Sequence, residues 1–179
     1  MKATGIVRRI DDLGRVVIPK EIRRTMRIRE GDPLEIYTGK EGEIILKKYS
    51  PMGEFGGALD DICEAVYKSS KRNCVICDRD WVVAAAGPCK PMVVEKTLSE
   101  EMKEVMEYRK KYRIQKGESG VLLTTEAYYE ASLVYPILAE GDLAGAILYL
   151  DQEKDVETSD GDDLLLHAIA LFLGGYMES

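Results

Sequence analysis

The N-terminal residues 4–19 read TGIVRRIDDLGRVVIP, and their pattern decides how the first part of the chain is interpreted. Apolar residues at 6–10 and 15–18 predict two β-strands, because β-branched side chains fit a pleated surface. The intervening Asp-Asp-Leu-Gly at 11–14 is typical of a turn. Pro19 ends the second strand and suits the first turn of a helix, where a missing N–H leaves no hydrogen bond unmade.

A short helix with a basic face is predicted from Lys20 to about Arg27. Within it, Lys20, Arg23, Arg24 and Arg27 have the spacing i, i+3, i+4 and i+7, which places them on one side. Neighbouring like charges repel one another, and an anionic partner would offset that repulsion. A solvated helix face would show the same pattern, so this alternative stays open.

Two further strands are predicted at 34–37 and 43–47, joined by a hairpin at 38–42. Four short strands and one helix in about 50 residues bury little apolar surface in a single chain. Small domains without disulfides or metals usually oligomerise, so this segment is predicted to be an obligate dimer.

The charge is distributed unevenly along the chain. Residues 1–50 carry a net charge of +4 and residues 51–179 one of -11, which give the total of -7. The basic part is suited to a polyanion, while the acidic part favours solubility. Ser50, Pro51 and Gly53 are typical of a boundary, and we therefore predict domains at 1–50 and 56–179 with a linker at 51–55.

The second part of the chain predicts an α+β domain, in which helices cover an antiparallel sheet. Helical periodicity appears at 59–67, 98–106 and 159–175, the last with Ser159 and Asp162 in capping-box spacing. Strand-like runs occur at 74–77, 81–86, 121–123, 132–138 and 143–150. Residues 87–96 and 112–129 have no clear pattern and are candidates for loops over a ligand cavity. Trp81, Tyr128 and Tyr129 would line that cavity or pack in the core.

Several chemistries are disfavoured by the sequence. Cys74 and Cys77 form a C-x-x-C motif inside a predicted strand, where their side chains point to opposite faces, so buried structural thiols are favoured over redox or zinc sites. The chain has one histidine, His167, and the acidic run at 160–163 lacks calcium-loop spacing, so no metal site is predicted. No nucleotide-binding or nucleophile motif occurs in the sequence. We therefore predict that the protein is not an enzyme and binds no cofactor.

The N-terminal residues resemble a known family. TGIVRRI at 4–10, LGRVVIP at 13–19, IRRT at 22–25, LEIY at 34–37 and IILKKY at 44–49 are similar to the DNA-binding domain of AbrB-type bacterial transition-state regulators. The resemblance implies a swapped-hairpin dimeric β-barrel with one short helix. It also implies that double-stranded DNA is contacted by Arg8, Arg15, Arg23 and Arg24, to which we add Arg9 and Lys20 because they lie beside these residues.

The second part resembles GAF-type sensor domains in its architecture. Two-domain members of the family regulate sporulation, and the resemblance implies a tetramer assembled through the C-terminal domains and a small-molecule effector that the sequence does not identify. No secretory signal and no run approaching ~20 apolar residues is present, which predicts a cytoplasmic, nucleoid-associated protein without membrane contact. Two alternatives stay open, an antitoxin-like protein that binds a toxin and represses its own operon, and a ligand-binding module whose basic helix is incidental.

Overall fold

The chain folds into two compact units that divide between Tyr49 and Ser50. A computed structural model describes residues 4–40, 42–115, 117–151 and 157–178. No helix of these residues is long and apolar enough to cross a membrane.

The N-terminal unit contains one short helix and one hairpin. Helix α1 spans Lys20–Thr25, and strands β1 (Leu34–Thr38) and β2 (Ile44–Lys48) pair antiparallel, with Leu34 opposite Lys48. The turn is closed by the N–H of Gly39, which donates to the carbonyl of Glu43 at 2.8 Å. This hairpin confirms the prediction for residues 34–47.

The two strands predicted at 6–10 and 15–18 are absent from the described chain, so that prediction is wrong for a single copy. The backbone link between the two segments is the N–H of Asp11, which donates to the carbonyl of Arg15 at 3.0 Å. A strand needs a neighbouring strand to accept and donate its ladder hydrogen bonds, and the described residues 4–49 supply none here.

The C-terminal unit is built on an antiparallel sheet. Its strands are β3 (Asn73–Cys77), β4 (Val82–Ala86), β5 (Tyr112–Arg113), β6 (Val121–Leu122), β7 (Glu130–Ala139) and β8 (Asp142–Asp151). Their order in the sheet is β4-β3-β8-β7-β5, and β6 also pairs with β7. The two long strands, β7 and β8, pair along their whole length, from Glu130 opposite Asp151 to Ala139 opposite Asp142.

Helices cover both faces of this sheet, which explains why its central strands are almost continuously apolar. Residues Pro51–Phe55, assigned to a linker from the sequence, form a 3-10 helix in which Met52 is buried. The α-helices are α2 (Ala58–Ser70), α3 (Lys90–Val93), α4 (Glu100–Glu107) and α5 (Asp160–Met177). The architecture confirms the predicted α+β class.

The two faces of the sheet bury separate cores. On one face, Met102 and Met106 of α4 pack with Val134 and Leu148. On the other face, Cys63 of α2 and Leu166 of α5 pack with residues that include Tyr149. Of the aromatic residues proposed for a cavity, Tyr129 is buried, whereas Trp81 is half exposed and Tyr128 points to solvent.

Helix α5 begins as predicted and ends later than predicted. The Ser159 hydroxyl accepts from the Asp162 N–H at 3.1 Å and the Asp162 carboxylate accepts from the Ser159 N–H at 2.9 Å, which confirms the capping box. The helix continues through Gly174 and Gly175 to Met177. Gly174 lies against the carbonyl oxygen of Leu138, so its lack of a side chain serves close packing on β7.

Candidate nucleic-acid interface

The turn at residues 11–15 is organised by the carboxylate of Asp11. Its Oδ1 accepts from the backbone N–H groups of Leu13 at 3.0 Å and Arg15 at 2.8 Å. Gly14 adopts a φ of +77°, a left-handed conformation that glycine adopts without the steric cost other residues incur. A short polar side chain that bonds the backbone two residues on is the reason Asp is favoured in such turns.

The second oxygen of Asp11 holds the side chain of Arg15. Nε of Arg15 donates to Oδ2 of Asp11 at 3.0 Å, and 69% of the Arg15 side chain remains exposed. Backbone and side-chain hydrogen bonds from Arg15 lower the pKa of Asp11, so the carboxylate stays charged. Sequence reasoning missed this partnership, although an acid and a base four positions apart across a turn were visible.

Helix α1 presents three of the proposed cations but ends before Arg27, so the predicted four-residue stripe is shorter than expected. Arg27 adopts a left-handed φ of 52°. The N–H of Arg27 donates to the carbonyl of Arg24 at 3.3 Å, and the N–H of Ile28 donates to the carbonyl of Arg23 at 2.8 Å. This pair of bonds is a Schellman motif, which terminates a helix.

The connection after α1 is fixed to the hairpin by Asp32. Its carboxylate accepts from the N–H of Arg29 at 2.8 Å and pairs with Nζ of Lys48 on β2 at 3.2 Å. Lys48 Nζ also donates to the carbonyl of Arg27 at 3.4 Å. The end of the helix is therefore held to the strand by charge-assisted bonds.

The six side chains proposed from the sequence all lie at the surface of the N-terminal unit, with Arg23 half-buried and the others exposed. Within the described part of the chain, Arg15 alone among them is held by an ion pair. The remaining five, Arg8, Arg9, Lys20, Arg23 and Arg24, have no anionic partner there.

No described residue of this unit is buried. Large apolar side chains lie open to solvent on both the turn-flanking segments and the hairpin, including Val7 at 88%, Val17 at 70% and Ile44 at 70% exposed. A single copy therefore has no core of its own, and the basic side chains sit on a scaffold whose apolar surface is still uncovered.

In the C-terminal unit, a groove of about 380 Å³ lies beside β7 and α5. The Tyr135 and His167 rings stack there with centroids 5.0 Å apart. Lys111 Nζ bonds both oxygens of Asp163 at 3.1 Å, a hydrogen bond that raises the pKa of Lys111, and Arg109 pairs with Asp142 at 3.3 Å. Both cations of the groove are thus paired with acids, so their charge does not indicate an anionic ligand for the groove.

The four cysteines are buried free thiols. Burial raises the pKa of Cys89 to about 12, and burial likewise raises the pKa of Cys77. A thiol so far from its thiolate form is a poor nucleophile and metal ligand. No group of three or more His, Cys, Asp or Glu side chains among the described residues is arranged to hold a metal ion.

Comparison with known families gives two matches along the chain. Residues 54–178 match the family described as stage V sporulation protein T C-terminal, transcription factor. Residues 7–54 match the family described as antidote-toxin recognition MazE, bacterial antitoxin.

Curated proteins of Bacillus subtilis (strain 168) are similar to the chain over its whole length or over its N-terminal part. Stage V sporulation protein T is 44% identical over 179 residues, which cover 99% of each chain. The transition state regulatory protein AbrB is 67% identical over 51 residues, which cover 28% of this chain and 52% of that protein. The second match confirms the resemblance seen in the N-terminal residues.

Among solved structures, the GAF domain of an Acinetobacter phosphoenolpyruvate-protein phosphotransferase aligns with a TM-score of 0.55 at 16% identity, over 73% of this chain and 84% of that one. At this identity the likeness establishes the fold alone. It confirms the GAF-like architecture expected for the C-terminal part.

Proposed function

Because the chain belongs to the stage V sporulation protein T family of transcription factors, we propose that it regulates transcription in bacterial sporulation by binding specific duplex DNA sequences. Residues 1–50 bind DNA, 51–55 link the domains, and 56–179 regulate and assemble the protein. It acts in the cytoplasm, on the DNA of the nucleoid. The observation that carries the proposal is a surface of basic side chains, five of them without an anionic partner among the described residues.

The N-terminal unit functions as an intertwined dimer. Its exposed apolar side chains and unpaired segments at 6–10 and 15–18 are what a second copy would cover and pair. Two copies related by a twofold axis would present two equivalent basic surfaces, which suits a duplex with symmetric half-sites.

The basic side chains supply most of the binding free energy through phosphate contacts. Each phosphate neutralised releases counterions, so the affinity falls steeply as salt is raised. Arg8, Arg9, Arg15, Lys20, Arg23 and Arg24 are the residues proposed to contact DNA. The net charge of +4 on residues 1–50 concentrates this attraction in one part of an otherwise acidic chain.

The test measures duplex binding by the full chain across a series of salt concentrations. Arg24→Ala is expected to weaken binding with the dimer intact, and to reduce the salt slope by about one unit per protomer, which is about two for the dimer. Lys68→Ala, which removes one exposed cation from α2, serves as the control and should leave both unchanged. An Arg24→Ala protein with the affinity and slope of the wild type would refute the assignment.

Helix α5 provides the surface for tetramer assembly. Leu164, Leu171 and Phe172 lie on one side of it and are 60–70% exposed. Leu171→Glu is expected to convert tetramers into dimers in sedimentation experiments, because a charge in an apolar interface is costly. Met92→Glu changes an exposed apolar residue of α3 and should leave the tetramer intact. A Leu171→Glu protein that remains tetrameric would exclude this face.

The C-terminal unit acts as a sensor rather than as a catalyst. Its family is described as a transcription factor, and one fold can carry many unrelated functions, so a GAF-like fold is compatible with a sensing role. A small-molecule effector would change DNA affinity by favouring one assembly or conformation over another. Thermal stabilisation by a metabolite, accompanied by a change in DNA affinity, would identify it.

An antitoxin-like role is the second candidate, because residues 7–54 match an antitoxin family. In that case the N-terminal dimer would bind a toxin and repress its own operon. The folded C-terminal unit, which matches a transcription-factor family over residues 54–178, favours the regulator. Purification of the protein from its source cell with a small partner protein in fixed stoichiometry would favour the antitoxin.

A further inference from the structure

Arg15 differs from the other proposed DNA-contacting side chains because its direction is fixed. Asp11 Oδ2 accepts from Arg15 Nε at 3.0 Å, while Asp11 Oδ1 accepts from two backbone N–H groups of the same turn. The carboxylate is thus anchored to the turn backbone, and the turn determines where the guanidinium lies. The other five cations have no anionic partner among the described residues.

The part of Arg15 left available is the part that recognises a base. A guanidinium has five N–H donors, and Asp11 occupies the one on Nε. The four donors on the two Nη atoms remain, on a side chain that is 69% exposed. Paired Nη donors match O6 and N7 of guanine in the major groove. A phosphate contact tolerates a mobile charge, whereas a base contact needs a defined direction.

We propose that Asp11 is a positioning residue that presents Arg15 to a base edge, so that this pair determines sequence specificity while the other five cations contact phosphates. The inference rests on the proposed function, DNA binding by the N-terminal unit. An acid at a DNA-binding surface repels every duplex equally. Asp11 therefore lowers the affinity for any duplex and increases the preference for the specific sequence over others. These two effects can be measured separately.

Asp12 provides a matched control. It is the next residue in the same turn, it is exposed and carries the same charge. It forms no hydrogen bond or ion pair within the described chain. Asp12→Asn therefore changes the charge as Asp11→Asn does, without touching Arg15. Asn at position 11 keeps an oxygen that accepts from the turn backbone, so the turn itself is retained.

The experiment compares binding of the full chain to two duplexes, one selected by the wild-type protein from a random-sequence pool and one with the same base composition in scrambled order. Asp12→Asn should strengthen binding to both equally. Asp11→Asn should strengthen binding to the scrambled duplex but lower the ratio of selected to scrambled affinity about fivefold or more. Equal ratios for the two variants would overturn the proposal.

Arg15→Lys and the double variant Asp11→Asn/Arg15→Lys complete a mutant cycle. Lysine keeps the charge but loses the planar fork, so the ratio should fall, and Asp11→Asn should lower it no further in that background. A further fall of the same size would show that Asp11 acts elsewhere, and an unchanged ratio for Arg15→Lys would also overturn the proposal.

Two outcomes separate this inference from the proposed function. If the wild-type protein selects no duplex, the proposed sequence-specific binding is refuted. If it selects one and only the Asp11 result fails, positioning alone is refuted. Sedimentation and thermal unfolding of each variant establish that the dimer is intact. If Asp11→Asn does not fold, an unchanged ratio for Arg15→Lys still overturns the proposal.

Discussion

The guanidinium of Arg72 lies over the ring of Tyr149, with Cζ 4.6 Å from the ring centroid. From this position it pairs with Asp151 at 2.5 Å and with Asp162 at 3.3 Å, and it donates to the hydroxyl of Ser132 at 2.8 Å. Arg72 thus links β7, the end of β8 and the first turn of α5. Its side chain is only 12% exposed, so these bonds form in a largely desolvated site.

Arg72→Met is expected to destabilise the C-terminal unit by about 3 kcal/mol, because Asp151 and Asp162 are left without their cation in a mostly buried place. Chemical unfolding of the full chain, followed by the signal of the C-terminal unit, measures the change. Lys96→Met is the control, since Lys96 pairs with Glu126 at the surface. Loss of an exposed pair should cost about 1 kcal/mol or less. Equal costs for the two variants would show that Arg72 has no special role.

The same site predicts how stability depends on pH. Burial alone raises the pKa of Asp162, but hydrogen bonds from Ser159 and the charge of Arg72 outweigh it and hold that pKa below its usual value of 3.8. A carboxylate with a lowered pKa stabilises the fold above its usual pKa and loses this contribution as the pH falls through the lowered value. The difference in unfolding free energy between wild type and Arg72→Met should therefore shrink below about pH 4.

Substitution of the acid itself provides the check. Asp162→Asn should flatten the acid limb of the stability curve, whereas Asp160→Asn should leave it as in the wild type. Asp160 is an exposed acid of the same helical turn, and it has no hydrogen bond or ion pair among the described residues. An acid limb that responds equally to both substitutions would assign the effect to general charge near the helix terminus.

The C-terminal fold was largely predictable because its central elements are long and strongly patterned. Local sequence pattern is sufficient to predict these elements, namely the apolar runs of β7 and β8 and the periodic apolar faces of α2 and α4. The two-residue strand β5 and the four-residue helix α3 were missed, since such short elements depend on neighbours and not on local pattern. The Arg72 site was also missed, because its acids lie 79 and 90 positions along the chain.

Gly174 and Gly175 show how sequence reasoning misplaced the end of α5. A glycine pair favours the end of a helix, yet α5 continues through both residues. Gly174 serves a packing role instead, because the carbonyl oxygen of Leu138 lies against it. Gly174→Ala is expected to destabilise the unit by about 2 kcal/mol through the resulting clash with backbone.

The neighbouring glycine supplies the control. A Cβ at Gly175 meets no atom within 4 Å, so Gly175→Ala should be neutral or stabilise the unit by up to about 1 kcal/mol through helix propensity. Thermal unfolding of both variants gives the comparison. Equal shifts in the same direction would contradict the packing role of Gly174.

For the N-terminal unit, the sequence indicated the hairpin and the positions of the basic residues, but the strands at 6–10 and 15–18 are not formed in one copy. Both segments have the apolar pattern of a strand. Such a segment forms a β-strand only when another chain or segment pairs with it. The Asp11–Arg15 pair depends on side-chain directions in a turn, which residue spacing leaves undetermined. The role of the six basic residues stays a prediction until binding is measured.

Arg27 is a non-glycine residue in the left-handed position that ends α1, with φ 52°. That conformation costs an L-residue with a side chain about 1 kcal/mol or more, and glycine adopts it freely. Arg27→Gly should therefore raise the unfolding free energy of the N-terminal unit by about 1 kcal/mol. Glu21→Gly, inside the same helix, should lower it by a similar amount, about 1 kcal/mol. Thermal unfolding at fixed protein concentration compares them, and a loss of stability in both would mean that the Arg27 side chain contributes more than its backbone conformation costs.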